Sequence, residues 1–220
     1  MQQLVLDLAP FVAQTFANFI LGRNREALAA VREVCAGGSA SCLYLWGAPG
    51  AGKSHLLNAA VSEVRTRGGR AEHFEGAKFY ELSNCDLVVA DRVDDLDEDA
   101  QSALFSLYND RASVKLPLLI AADTPPSRQR LRDDLRSRLA WGLVYEIHVL
   151  SDSEKAEALE SHARSRGFEV AGEVVNYLLS REARDLPTLF ATLDALDRYS
   201  LQTRRAITLP TLRELLRQGQ

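Results

Sequence analysis

Residues Cys42–Leu57 read CLYLWGAPGAGKSHLL, and the change of period within this stretch decides the fold. CLYLW, residues 42–46, is a short apolar run of the kind that forms a buried strand. GAPGAGKS, residues 47–54, follows directly and matches GxxxxGK[ST], and the spacing from Ser54 to Arg67 predicts a helix. Strand, glycine-rich loop and helix in that order make a phosphate cradle. Gly47, Gly50 and Gly52 let the backbone curl, with Ala48, Pro49 and Ala51 completing the loop, so that N–H groups face phosphate oxygens at the positive end of the helix. Lys53 is then expected to reach the β and γ phosphates of ADP or ATP, and Ser54 to ligate Mg²⁺.

Outward from the loop, the runs LVVAD (87–91), LPLLIAA (116–122) and LVYEIHV (143–149) read as further strands. Helical spacing is found at 25–35, 54–67, 98–111 and 128–139. Strands alternating with helices predict an α/β fold, a parallel sheet flanked by helices, over residues 11–150. After Leu150 the strand signal stops. Helices are expected at about 151–167, 171–181, 186–201 and 209–217, so residues 151–220 read as a small all-helical lid domain. MQQLVLDLAP, residues 1–10, alternates from Leu4 to Leu8 and stops at Pro10, which reads as an extended tail.

The strand at 87–91 ends in Asp91, where a phosphate-loop protein places the carboxylate that holds the Mg²⁺ shell. The next position, often a second acid that polarises water, is Arg92. A cation cannot act as a general base, so hydrolysis by this chain alone would need Asp94 or Asp95, which read equally as part of a solvated loop.

Composition narrows the classes further. The formal charge is −4 over 220 residues, without the basic excess of a stand-alone nucleic-acid binder. Cys35, Cys42 and Cys85 are odd in number and lack CxxC spacing, and His55, His73, His148 and His162 show no ligand spacing, so neither a disulfide framework nor a protein-held metal is expected. No secretory segment and no apolar run of membrane-spanning length is read, which predicts a cytoplasmic protein.

With the loop, Asp91 and a helical second domain in place, further segments resemble the DnaA-related family of AAA+ proteins. QTFANFILGRNREAL, residues 14–28, is similar to the family segment that helps hold adenine. The resemblance makes Phe19, Ile20 and Leu21 candidates for that contact, while a hydrophobic staple under the core would use the same side chains. IAADTPP, 120–126, is similar to the turn carrying the first sensor residue, a role that falls on Asp123. DDLRSRLAWGLVYEI, 133–147, is similar to the family box whose arginine reaches a neighbouring subunit's nucleotide; Arg138 matches that arginine finger, with Arg136 two positions before it. A surface salt bridge is the plain alternative for such an arginine. REARDLPTLFATLDALDRYS, 181–200, is similar to the helix of the second sensor, but Pro187 stands at the sensor arginine's position. Arg184 is the nearby candidate to touch phosphate, and discrimination between ATP and ADP stays open.

The resemblance spans nearly the whole chain and implies a short regulatory member, without the initiator's front domains or DNA-binding domain. QLVLDL, with Gln3, Leu4, Leu6 and Leu8 as anchors, is similar to the peptide by which bacterial proteins dock on the DNA polymerase sliding clamp (beta subunit). A frayed tail is the alternative reading. The implied partners are the DnaA initiator and the clamp, with DNA reached only through the clamp, no membrane, and a homo-oligomer left open. The implied outcome is stimulated hydrolysis of DnaA-bound ATP, hence negative regulation of replication initiation. The rivals are a helicase-loader-like AAA+ ATPase and an adaptor that nucleotide merely stabilises.

Overall fold

Five strands, β1 (Cys42–Trp46), β2 (Ala71–Glu75), β3 (Leu87–Asp91), β4 (Leu118–Ala122) and β5 (Leu143–Glu146), pair in the order β2-β3-β4-β1-β5, every pair parallel. The computed structural model describes residues 13–38, 41–75, 85–180 and 185–218. Parallel neighbours need crossover connections. These are α2 (Lys53–Thr66), α3 (Glu98–Ser113) and α4 (Asp133–Trp141), while α1 (Arg25–Cys35) precedes the first strand.

Alternation along the strands sends side chains to two separate cores. Leu43, Leu45, Val89, Leu119 and Ala121 pack with Val31 and Val34 of α1 and with Leu56, Leu57 and Ala60 of α2. Cys42, Tyr44, Val88, Ala90 and Ile120 pack on the opposite face with Leu104 of α3 and Leu135 and Leu139 of α4. Burial on both faces is why the central strands read as unbroken apolar runs rather than alternating ones.

Several boundaries differ from the sequence reading. β2 was absent from it: AEHFE lies at the sheet edge, pairs with β3 alone and is only partly covered, so it carries no apolar run. β4 begins at Leu118 rather than Leu116, because Pro117 has no N–H for the ladder. The expected helix 128–139 is broken into a 3₁₀ turn, Pro126–Arg128, and α4, since Gln129 and Arg132 take extended backbone. The buried Gln129 side chain donates to Asp94 Oδ1 (2.6 Å) and to the Thr124 carbonyl (3.0 Å), which ties the chain down where helical spacing would have continued. β5 stops at Glu146, although the Ile147 N–H still donates to the Trp46 carbonyl at 2.6 Å.

Residues Gln14–Val149 form one compact unit, and Leu150–Gln220 fall in a second. The second unit holds α5 (Asp152–Ser165), α6 (Gly172–Leu179), α7 (Leu186–Thr203) and α8 (Leu209–Gln218). Its core is a leucine and valine cluster that includes Leu159, Val174, Leu178, Leu193, Leu196 and Leu212. A capping box opens α5: Ser151 Oγ accepts from the Glu154 N–H, and the Glu154 carboxylate accepts from the Ser151 N–H. Asp194 of α7 ties α5 in place by accepting from His162 Nε2 and from Arg166, each at 2.8 Å. Pro187 lies in the first turn of α7, after the N-cap Asp185, whose carboxylate accepts from the Thr188 N–H at 2.9 Å. A proline costs the helix nothing there, because its missing N–H would have no intrahelical acceptor.

Candidate nucleotide-binding site

The glycine-rich loop joins the end of β1 to the start of α2, and its backbone explains its glycines. Gly47 has φ +154°, and a Cβ there would come within 2.2 Å of the Ile147 carbonyl oxygen, so the loop leaves the sheet where no side chain fits. Gly50, at φ +79°, has open space where its Cβ would be. Gly52, at φ +102°, is the N-cap of α2 and offers no side-chain cap, which leaves the first N–H groups of the helix to an outside acceptor. A phosphate is the natural one.

Lys53 is buried, with a side chain 9% exposed, and its ammonium donates to the carbonyls of Gly47 (2.7 Å) and Ala48 (3.2 Å) and to Asp123 Oδ1 (2.9 Å). Asp123 follows β4 and is itself half exposed, so one partner of the lysine faces solvent. Ser54 is exposed at the start of α2. Asp91 closes β3 and is 5% exposed; its Oδ1 accepts from the Arg92 N–H at 2.9 Å. Loop, Asp123 and Asp91 thus lie at the carboxyl ends of three neighbouring strands, the edge where open α/β sheets bind ligands.

The acids proposed as substitute bases are both engaged. Asp94 Oδ2 accepts from the Asp123 N–H (2.8 Å) while Oδ1 takes Gln129, which fixes the Asp123 turn. Asp95 pairs with Arg92 at 2.9 Å, and Glu75 pairs with the same guanidinium at 3.2 Å. Arg92 sits in left-handed backbone, φ 55°.

The segment before α1 is pinned over this end of the sheet by the buried Asn24, whose side chain exchanges hydrogen bonds with the backbone of His148 (2.8 and 3.0 Å). Phe19 lies against the loop: its Cε2 is 3.0 Å from where a Gly52 Cβ would be, and its ring meets His55 edge-on at 5.3 Å. It also packs on the α1–α2 core, while Ile20 and Leu21 are half-buried.

Sequence reasoning missed His73 and Asn58. His73 Nδ1 lies 2.7 Å from Asn58 Oδ1, and its buried Nε2 has no hydrogen-bond partner among the described residues and faces Asp91 Oδ2 at 4.0 Å. Burial pushes this imidazole below the ordinary histidine range, against the pull of Asp91 and Glu75. Register pairing of β2 with β3 creates the contact, and an undetected strand gave no way to foresee it.

Arg138 lies on α4, and no hydrogen bond or ion pair joins it to the loop, Asp91 or Asp123. Its guanidinium carbon sits 4.9 Å from the centroid of the Trp141 ring. Arg136 pairs with Asp133 at 2.7 Å and Arg132 with Asp134 at 2.8 Å, whereas Arg138 has no carboxylate partner among the described residues. Gln3, Leu4, Leu6, Leu8 and Arg184 lie outside the described residues. Burial pushes the Cys42 thiol up to about 12 and the Cys35 thiol up to about 11, so these cysteines are inert apolar filler. Among the described residues no group of His, Cys, Asp and Glu is arranged to hold a metal on its own, and no helix is long and apolar enough to cross a membrane.

A phosphate loop on a β2-β3-β4-β1-β5 parallel sheet, followed by a helical lid, defines an AAA+ nucleotide-binding protein. A model of the bacterial DnaA ATPase domain matches residues 12–82, and a model of the Hda lid domain matches residues 152–216. The chain is a DnaA-related AAA+ protein with a lid of the Hda type.

Solved structures agree on the fold. Domain III of the Thermotoga maritima replication initiation protein DnaA is similar at TM-score 0.74 and 23% identity, over 93% of this chain and 95% of that one. AMPPCP-bound DnaA from Aquifex aeolicus gives 0.72 and 25% over 86% of this chain; the match spans 66% of that longer chain. The RuvB Holliday junction branch migration motor of Thermotoga maritima, at 0.68 and 17%, covers 94% of this chain and 74% of its own. The relationship carries a nucleotide-related activity and a role connected with replication initiation.

Proposed function

We propose that this chain is an Hda-type regulator: it binds ADP or ATP with Mg²⁺ at Gly47–Ser54 and presents Arg138 to ATP held by DnaA, which then hydrolyses it. The core at 11–150 would carry both groups, 151–220 would be the helical lid domain, and the tail at 1–10 would dock through Gln3, Leu4, Leu6 and Leu8 on the DNA-loaded sliding clamp of the cytoplasm. The observation that carries the reading is Arg138 itself, a guanidinium with no carboxylate partner among the described residues, while Arg132 and Arg136 just before it each have one.

Within the site, Lys53 would exchange its loop carbonyls for phosphate oxygens, and Ser54 and Asp91 would hold the metal shell. A bound Mg²⁺ would supply neutralisation of phosphate charge there. Phe19 and Ile20 would border the base, and Arg184 the phosphates. The pairing of Arg92 with Asp95 and the use of Asp94 as a turn acceptor support weak hydrolysis by this chain alone, because both acids already have partners. An arginine delivered in trans neutralises charge that develops only in the transition state and is worth about 10³ to 10⁵ in rate.

The test follows the hydrolysis of ATP already bound to DnaA, with clamp loaded on DNA, on adding wild type or Arg138→Ala. Acceleration by wild type and its loss in the variant, with clamp and DnaA binding retained, is the expected result. Equal acceleration by both would make Arg138 a structural group, and none by either would favour a helicase-loader-like or adaptor role.

A further inference from the structure

We infer that Trp141 is a positioning residue for Arg138: its indole face holds the guanidinium at the surface while leaving the N–H donors open to an incoming phosphate. This rests on the reading of Arg138 as a finger. Both residues lie on α4, three positions apart, and therefore on one face of the helix. The 4.9 Å separation of guanidinium carbon and ring centroid is that of a cation–π contact.

Packing does not explain the tryptophan. Its surface is 74% exposed, although Trp is a residue that folding ordinarily buries to a large degree. The backbone beneath it is nevertheless held firmly. Leu135 and Leu139 of α4 are fully buried, and at Gly142 a Cβ would come within 2.6 Å of the Cys42 carbonyl oxygen, so the helix end is pressed onto the first residue of β1. What remains free is the arginine's own long side chain, whose rotamer freedom an aromatic contact restricts. Tyr108 of α3 stands nearby, and the positive charge of Arg138 partly offsets the burial that raises its phenol.

The physical logic separates two ways of holding an arginine. A carboxylate, as at Arg132 and Arg136, occupies N–H donors and cancels charge, and an arriving phosphate would have to displace it. An aromatic face attracts the cation through its quadrupole and uses none of the in-plane donors. The surface keeps its charge and loses its freedom.

The experiment measures the rate of hydrolysis of DnaA-bound ATP against the concentration of this protein, on clamp-loaded DNA, for wild type, Trp141→Phe, Trp141→Leu and Arg138→Ala. Because Trp141 is exposed, the leucine variant is expected to fold, which its melting curve checks. We expect Trp141→Leu to lower the plateau rate about two- to five-fold, the scale of one exposed cation–π contact, with the half-saturating concentration unchanged. Trp141→Phe, which keeps a π face, retains most of the plateau. In the free protein the Arg138 Nε–H proton should show a ring-current shift in wild type and in the phenylalanine variant, lost with leucine. A Trp141→Leu plateau equal to wild type, or a change confined to the half-saturating concentration, overturns the inference; the latter makes Trp141 a docking contact. Arg138→Ala matching wild type would instead overturn the finger reading, and the positioning role with it.

Discussion

Lys53 at the start of α2 and Arg138 on α4 are two cations held in opposite ways. The lysine is enclosed by two loop carbonyls and Asp123, at the carboxyl ends of the strands. The arginine stands on the outer helix α4, without a carboxylate, against an exposed ring. A cation meant for the chain's own ligand is pre-positioned inside a closed donor and acceptor set, so its desolvation is compensated before the ligand arrives. On the proposed reading, a cation offered to another protein's ligand has to stay free of a carboxylate, as the half-buried Arg138 is among the described residues. If that reading holds, the contrast is electrostatic preorganisation for use within the chain against preorganisation for use in trans.

Lys53→Ala should break the comparison most sharply. Removing a charged donor from phosphates costs on the order of 100-fold in affinity for ADP or ATP, read by titration calorimetry, whereas Arg138→Ala should leave that affinity unchanged. Equal losses in the two variants would mean that Arg138 serves the chain's own nucleotide.

A second pair of variants separates loop geometry from loop chemistry. Gly47→Ala drives a Cβ into the Ile147 carbonyl, and a loss of about 2–4 kcal/mol in urea unfolding is expected even without nucleotide. Gly50→Ala meets only the strain of its positive φ, roughly 1 kcal/mol, and should cost nucleotide affinity more than stability. If both variants unfold alike, the space above Gly50 is not reserved for a ligand.

The smallest effect concerns pH. Burial lowers His55 and His73 below the free histidine value, so the unfolded chain binds protons that the folded one refuses. Stability is then complete above the unfolded pKa of about 6.5 and falls as pH drops from there toward the folded values. The urea midpoint should decline between pH 7.5 and 5.5, and His73→Gln should flatten that decline. A midpoint that rises on acidification would remove burial as the governing cause.

Much of this was legible in the residues. The motif Gly47–Ser54 and the buried strands β1, β3 and β4 announce themselves because both faces of a parallel sheet are covered and phosphate-binding backbone demands glycine. The edge strand β2 did not, since half-covered polar residues such as Glu72 and His73 look like loop. Asp123 was named from its turn, but its tie to Lys53, 70 positions away in the chain, depends on β4 lying beside β1.

Sequence alone therefore determined the local matters: which segment curls around phosphate, that helices flank the central strands, and that only helices are found after Leu150 among the described residues. Those features arise from backbone conformation and short-range periodicity, which neighbours in the chain dictate. Only the tertiary structure decided which charges are shared and which stand alone. Asp94 could have been a base and is a turn acceptor; Arg136 and Arg138 stand two apart in RSR, residues 136–138, yet one is paired and the other lies on Trp141. Electrostatic partnership falls off over a few ångströms through space, a distance that sequence separation does not measure.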